Sequence, residues 1–184
     1  GLKLTTVASL GEGEKKLTIL NNGVSKAYAM TGWRIGYALA EPEIIKVMSN
    51  YLSHCAGSCC TISQKAAEAA LSGSQEKIET MRQAFEERRN YLVERMNQVE
   101  GVSCIKPEGA FYVMMNMEKL VGRTVHGQVI NTCDDFSQAF LKYGLVATVP
   151  GTAFGAPNFV RWSYATSMET VSFPHLTLPT LCSV

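Results

Sequence analysis

The longest regular pattern in the sequence runs from about Ser74 to Val99 and predicts a single long helix. Its apolar residues recur at intervals of three, four and seven, which places them on one stripe: Ile78, Met81, Phe85, Leu92, Met96 and Val99. The charged residues of the segment lie largely off that stripe and form a solvated face. Gly101 follows and ends the helix. A chain with one helix of this length must supply other elements to cover its apolar stripe.

Shorter patterns on both sides of this helix predict strands interleaved with helices, which indicates an α/β or α+β fold. Before it, we expect buried strands at 17–20 and 35–40, a helix that opens at Glu41-Pro42-Glu43, and a second helix capped by Ser63 that closes near Gly73. After it, we expect strands at 102–105, 111–115, 145–149 and 159–164, and a helix over 134–143.

The charge balance excludes two classes of partner. The 184 residues carry 17 Lys+Arg and 16 Asp+Glu, a net charge of +1, so the chain has no field that would hold nucleic acid or an anionic membrane surface. Its longest apolar stretches are far shorter than the roughly 18–20 residues of a membrane span. Gly1 to Leu10 shows no signal peptide. We therefore expect a cytoplasmic protein.

Cysteines cluster at Cys55, Cys59 and Cys60, with only His54 near by in sequence. A zinc site needs four ligands, so the pattern favours free, buried thiols in a reducing compartment, and we assign no metal ligand.

The segment from Gly23 to Gly36 carries the chemistry. Lys26 leaves a predicted strand, Arg34 begins the next, and small residues between them allow close approach of the backbone to another group. A lysine amine can form a Schiff base with an aldehyde, and an arginine can hold a phosphate through its planar fork. From the residues alone, two ordinary surface side chains remain the alternative.

Residues 23–36 resemble, position by position, the pyridoxal-phosphate attachment signature of class I aminotransferases, in the aspartate aminotransferase superfamily. Further blocks follow in the family's order: Ser63-Gln64-Lys65-Ala66-Ala67, Pro107 to Tyr112, Val149 to Gly155, and Phe159 to Ala165. The resemblance covers about residues 1–170. It implies a fold-type I PLP-dependent transferase of the α/β class, of which this chain holds the C-terminal part.

The resemblance also implies a role for each site residue. Lys26 would attach the cofactor pyridoxal 5'-phosphate and act as the acid and base at the substrate Cα. Arg34 would bind the cofactor phosphate, and Ser25 would help to orient the phosphate loop. Arg161 would pair with the substrate α-carboxylate. The implied reaction moves an amino group from an L-amino acid, aspartate-like or aromatic, to a 2-oxo acid.

In domain terms, residues 1–72 would end the large α/β/α cofactor domain, 73–98 would form the connecting helix, and 99–170 would form an incomplete, small α+β domain. The uncharged tail 171–184 does not resemble the family. The aspartate that pairs with the pyridine nitrogen would precede Gly1, so we expect little or no activity from this chain alone. The longer parent protein would be a homodimer.

Two alternatives stay open at this level. The same lysine and arginines would serve a PLP-dependent C–S β-lyase of the same fold, because reaction type depends on side chains that the sequence does not show. A non-catalytic, aminotransferase-like remnant is the second alternative. The identity of the amino acid and of the 2-oxo acid cannot be predicted from these residues.

Overall fold

The computed structural model describes residues 4–172, and the chain divides into two compact units, Gly1–Thr80 and Met81–Val184. The division falls inside the long helix. Each unit is described by itself below.

The first unit contains a short antiparallel hairpin and a group of helices. Its elements are α1 (Glu12–Lys16), β1 (Leu20–Gly23), β2 (Gly36–Leu39), α2 (Pro42–Cys55), α3 (Thr61–Ser72) and the beginning of α4 (Glu76–Met96), with 3₁₀ helices at Val7–Ser9 and Thr31–Trp33. The pairing of β1 with β2 runs from Leu20↔Leu39 to Gly23↔Gly36. This register fixes where the connection between the two strands leaves and re-enters the hairpin.

The strand predicted at 17–20 is wrong in position. Leu17 is 89% exposed and follows α1, whereas the observed strand begins at Leu20 and includes the Asn21-Asn22-Gly23 segment that predicts a turn. The asparagines pair with Ala38 and Tyr37 of β2, and this tertiary pairing overrides their low strand propensity. The second strand is correctly located, but Leu39 is 59% exposed, so it is not buried along its length.

The helices follow the sequence pattern closely. Pro42 is the first residue of α2, and Gly73 is the C-cap residue of α3, both as predicted. The predicted cap Ser63 is wrong, because Cys60 occupies the N-cap of α3 and Ser63 lies buried inside the helix. The long helix is confirmed as α4, and its apolar stripe supplies Leu92 and Met96 to a buried core.

The second unit is built on a four-stranded antiparallel sheet of order β3-β4-β8-β7. After α4, its elements are β3 (Ser103–Cys104), β4 (Tyr112–Asn116), β5 (Thr124–Val125), β6 (Gln128–Val129), α5 (Cys133–Gly144), β7 (Val149–Pro150) and β8 (Phe159–Ser163), with 3₁₀ helices at Glu118–Leu120 and Gly151–Phe154. One face of the sheet packs against α5 and the C-terminal half of α4 in one core: Leu92, Val93, Met96, Val113, Met115, Phe136, Ala139, Phe140, Val160 and Trp162.

Two features of this unit differ from the sequence prediction. The strand expected at 145–149 is reduced to Val149–Pro150, because Leu145 caps α5 in the left-handed conformation and is 77% exposed. The β5–β6 hairpin was not predicted, since its strands are only two residues long. Val171 is buried in the core, and residues 173–184 of the predicted tail lie outside the described residues.

The cysteine prediction is corrected in part. Cys55, Cys59 and Cys60 are exposed, whereas Cys133 is buried and Cys104 is half-buried. Among residues 4–172, no group of three or more His, Cys, Asp or Glu side chains could hold a metal ion. No helix within that range is long and apolar enough to cross a membrane.

Candidate functional site

The connection between β1 and β2 carries three of the four predicted site residues: Ser25, Lys26 and Arg34. Both ends of this connection are anchored. The Val24 N–H donates to the Ile35 carbonyl at 3.3 Å, and both side chains are buried in a small apolar cluster with Ala67 of α3. The loop therefore projects from a fixed base.

Gly23 and Gly36 close the hairpin beneath this loop. A Cβ atom on Gly23 would lie 3.0 Å from the Ile35 carbonyl oxygen and 3.4 Å from the Gly36 Cα atom. The first distance is tighter than most Cβ contacts, so a side chain at Gly23 would need the Ile35 carbonyl to shift by a few tenths of an ångström. Glycine at this position therefore accommodates the close approach of the two strands.

Lys26 lies in the turn formed by residues 25–28, and its side chain is exposed. Its carbonyl oxygen accepts a hydrogen bond from the Ala29 N–H at 3.1 Å, which closes the turn. Ala29 itself has a φ of 54°, in the left-handed region that non-glycine residues seldom occupy. Ser25, one residue before the lysine, is half-buried. The turn presents the Lys26 amine at the surface of the first unit.

Arg34 follows the 3₁₀ helix Thr31–Trp33 and also has a left-handed backbone, with φ 57° and ψ 44°. Its Nη1 atom donates to the Thr31 carbonyl at 3.1 Å, which orients the exposed guanidinium. A guanidinium has five N–H donors, so this one bond leaves others for an anion. Strained backbone at a non-glycine residue is typical of functional loops.

Gln75, which the sequence analysis does not identify, holds this loop through Tyr28. The Tyr28 hydroxyl donates to the Gln75 Oε1 atom at 2.9 Å, and the Gln75 Nε2 atom donates to the carbonyls of Ala70 and Gly73 at 3.1 and 2.8 Å. Tyr28 also packs against the cluster of Val24 and its neighbours. Trp33, in the same connection, is 44% exposed. No sequence signal links Tyr28 to Gln75, which are far apart in the chain.

The fourth predicted residue, Arg161, belongs to the second unit and lies on β8. Val160 and Trp162 on either side of it point into the core, so Arg161 faces the opposite side of the sheet, where it is half-buried. Its guanidinium carbon lies 4.3 Å from the centroid of the Tyr112 ring and 4.4 Å from that of Phe154. The two rings contact the cation directly.

The strand that supplies Tyr112 is tied to the end of β8 by Tyr164. The Tyr164 N–H donates to the Phe111 carbonyl at 3.0 Å, and its hydroxyl donates to the Ala110 carbonyl at 3.1 Å. Burial raises the pKa of the Tyr164 hydroxyl, and the positive charge of Arg89 opposes this shift. The hydroxyl therefore stays protonated at neutral pH and remains a donor.

The donor chemistry fits a phosphate-bearing aldehyde on the first unit and a carboxylate on the second. An amine, a hydroxyl and a guanidinium share the β1–β2 connection, and these are the groups that attach an aldehyde and bind a phosphate dianion. Arg161 offers the planar fork that pairs with a carboxylate through two parallel hydrogen bonds.

Comparisons with known proteins bear on this chemistry. The family described as aminotransferase class I and II matches residues 3–172. An aspartate aminotransferase of Geobacillus stearothermophilus is 44% identical over 93% of this chain, and the matched part is 42% of that relative. The chain thus spans less than half the length of this curated relative.

Two solved structures agree in fold. The aspartate aminotransferase of Rhizobium meliloti superposes with a TM-score of 0.92 at 40% identity, over 99% of this chain and 46% of that one. An aromatic aminotransferase of Pyrococcus horikoshii superposes with a TM-score of 0.84 at 34% identity, over 97% of this chain and 46% of that one. The mixed α/β architecture described above is that of part of these fold-type I chains.

Proposed function

Because the chain belongs to the class I and II aminotransferase family, we propose that it forms the C-terminal part of a PLP-dependent aminotransferase acting on an L-amino acid and a 2-oxo acid. One observation carries this proposal: Lys26 and Arg34 occupy a single, strained connection whose two ends are fixed by the pairing of Gly23 with Gly36. Family membership implies pyridoxal 5'-phosphate as the cofactor.

The cofactor, when bound, supplies an electron sink for charge that develops at the substrate Cα. Lys26 would hold the cofactor through its Nζ atom and would act as the acid and base at the substrate Cα, a role that requires an amine on a loop of fixed position. Arg34 would bind the cofactor phosphate through the donors that its bond to Thr31 leaves available, and the Ser25 hydroxyl would add a further donor.

Arg161 binds the α-carboxylate that all amino acid substrates share. A carboxylate in the plane of the guanidinium receives two parallel hydrogen bonds, which orient the substrate as well as hold it. A lysine at this position would offer a point charge without that planar match. Arg161 therefore does not select among amino acids, and selection depends on groups that contact the rest of the substrate.

The names of the relatives favour amino transfer over the C–S β-lyase alternative, since those described above are aspartate or aromatic aminotransferases. We propose an aspartate-like or aromatic amino acid as the donor for the same reason. Steady-state assays of the longer parent protein, with transamination and cystathionine cleavage measured side by side, would separate the two reactions. Faster cleavage than transamination would reject our assignment. We further propose that the parent is a homodimer, which sedimentation of the longer protein would test.

The site assignment is tested on this chain by reductive trapping. The chain is mixed with pyridoxal 5'-phosphate, reduced with borohydride, and digested for mass spectrometry of the labelled peptides. We expect the label to concentrate on the peptide with Lys26 and to fall when Arg34 is replaced by Met, because the phosphate contact is lost. Lys46→Ala, which removes another exposed lysine in the same unit, is the matched control. Equal labelling of Lys26 and Lys46 would contradict the assignment.

A further inference from the structure

Two aromatic rings contact the half-buried Arg161, one from each side of β8. In the sheet, Arg161 pairs with Met114 of β4, so Tyr112 lies two residues along on the same face. Tyr112 thus approaches Arg161 from the strand on one side of β8, with its ring centroid 4.3 Å from the guanidinium carbon.

The second ring approaches from the other side of β8. Phe154 ends the 3₁₀ helix Gly151–Phe154, which follows β7, and β7 pairs with β8 through Val149↔Arg161. Phe154 as a residue is 49% exposed, so only part of its surface is used in packing. Within the described residues, the Arg161 guanidinium makes no hydrogen bond or ion pair, so its N–H edges point to neither a carbonyl nor a carboxylate of the chain.

The helix that carries Phe154 is itself fixed. The Thr152 hydroxyl donates to the Asp134 Oδ2 atom of α5 at 3.1 Å. Gly151 is buried, and a Cβ atom there would collide with the carbonyl oxygens of Ala156 and Phe159. Asp134 lies in the first turn of α5, where Thr132 and Asp135 form a reciprocal capping box. Phe154 therefore ends a short helix whose first two residues are fixed, Gly151 by close packing and Thr152 by its hydrogen bond.

We propose that Tyr112 and Phe154 are positioning residues for carboxylate binding. When rings cover the face of a guanidinium, an acceptor can bind only at its edges, where the N–H groups lie. They restrict the rotation of the side chain before the ligand arrives, which reduces the entropy lost on binding. The inference rests on the proposed function, since it assumes that Arg161 receives the carboxylate.

The test uses the ¹⁵N-labelled chain and two NMR readouts: the relaxation of the Arg161 Nε–Hε group without ligand, and its chemical shift during titration with sodium acetate. Titration with sodium chloride to the same ionic strength serves as the anion control. Phe154→Leu keeps bulk but removes the ring. We expect a more mobile Nε–Hε group and acetate binding weakened about two- to fivefold, the range for a partly exposed cation–π contact.

Two further variants separate positioning from general stability. Phe154→Tyr keeps a ring and should restore both readouts to the wild-type values. Tyr143→Leu removes a ring that contacts Lys142 in the same unit, and should leave both unchanged. Thr152→Val, which removes only the hydroxyl that holds the Phe154 helix, should act in the same direction as Phe154→Leu but less strongly.

The outcomes distinguish the inference from the function on which it rests. Wild-type mobility and wild-type affinity in Phe154→Leu would overturn the positioning role. Acetate binding by Arg161→Lys is followed through the backbone amide shifts of β8; if it equals binding by the wild-type chain, the carboxylate role of Arg161 is wrong. In that case the Nε–Hε relaxation of Phe154→Leu still decides whether the ring orders the guanidinium.

Discussion

At the scale of single residues, the surroundings of Cys104 and Cys60 shift the pKa values of the two thiols in opposite directions. Burial raises the pKa of Cys104 to about 11, and a hydrogen bond with Asn97 opposes the shift only in part. Hydrogen bonds from the backbone N–H groups of Ser63 and Ile62 at the start of α3 lower the pKa of Cys60. The two thiols therefore differ in the direction of their pKa shifts and in their exposure to solvent.

The raised pKa of Cys104 predicts a loss of stability at alkaline pH. The folded state keeps the thiol proton while the unfolded chain, with an ordinary pKa near 9.0, releases it. The contribution of Cys104 to the free energy of unfolding is thus fully present below pH 9 and decreases as the pH rises towards about 11. Urea unfolding at a series of pH values, with Cys104→Val as a variant that cannot titrate, measures this.

The comparison between the two proteins isolates the thiol, because all other groups titrate alike in both. We expect the wild-type chain to lose more stability than Cys104→Val between pH 9 and pH 11. Parallel curves for the two proteins would show that the Cys104 thiol ionises equally well in both states.

At the scale of elements, the 3₁₀ helix Gly151–Phe154 depends on the absence of a side chain at its first residue. Gly151→Ala would push a methyl group against the carbonyl oxygens of Ala156 and Phe159, and we expect a loss of about 1–3 kcal/mol in the free energy of unfolding. Gly109→Ala is the matched control in the same unit, since a Cβ atom there meets nothing within 4 Å. Equal stability of the two variants in thermal unfolding would contradict this prediction.

The hairpin connection also depends on the segment that joins α3 to α4. The Gln75 side chain accepts a hydrogen bond from the Tyr28 hydroxyl and donates to two carbonyl oxygens at the end of α3. It therefore links the Lys26 loop to the α3–α4 connection. We expect Tyr28→Phe to lower the free energy of unfolding by about 0.5–1 kcal/mol, which is the contribution of one partly exposed hydrogen bond. Gln75→Leu should lower it more, because it removes all three of these hydrogen bonds.

A functional readout complements the unfolding measurement for these two variants. Both should reduce the preference of borohydride trapping for Lys26 over Lys46, because the turn of residues 25–28 loses its fixed position. The double variant should then resemble Gln75→Leu alone, since both changes remove the same bond. Additive losses of stability would mean that Tyr28 and Gln75 act independently.

The sequence predicts elements well where a long periodic pattern exists, as in α2, α3 and α4. The sequence prediction misplaces β1 because Asn21 is in a strand through its pairing with Ala38, a tertiary contact that the local pattern does not contain. The candidate site shows the same division. Lys26, Arg34 and Arg161 are predicted from their sequence context, whereas the Tyr112 and Phe154 rings around Arg161 follow from strand register, which no local pattern encodes.

At the scale of the whole molecule, the two units differ in how much they bury. The second unit has an extended core around its sheet, while the buried apolar residues in the described part of the first unit are Val24, Ile35 and Ala67. Lys26 and Arg34 are both exposed on that first unit. Water competes for their donors there and screens the attraction of the guanidinium for a phosphate.

This exposure predicts weak catalysis by the 184-residue chain. We expect turnover of L-aspartate with 2-oxoglutarate no faster than that of the Lys26→Ala variant, because an open site cannot strengthen its electrostatic contacts by excluding water. A coupled assay for oxaloacetate, run on both proteins with saturating pyridoxal 5'-phosphate, measures the difference. Activity that depends on Lys26 would show that these residues form a working site without further protection from solvent.

The pairing of Gly23 with Gly36 has a consequence for the order in which the protein folds. The three predicted cofactor contacts, Ser25, Lys26 and Arg34, lie between two strands that are neighbours in sequence, so their relative position arises from contacts of low sequence separation. Such contacts close early, because little chain entropy is lost in forming them. The loop with Lys26 and Arg34 can therefore reach its final shape while the chain is still being synthesised, before the distant strands that place Arg161 beside Tyr112 have paired.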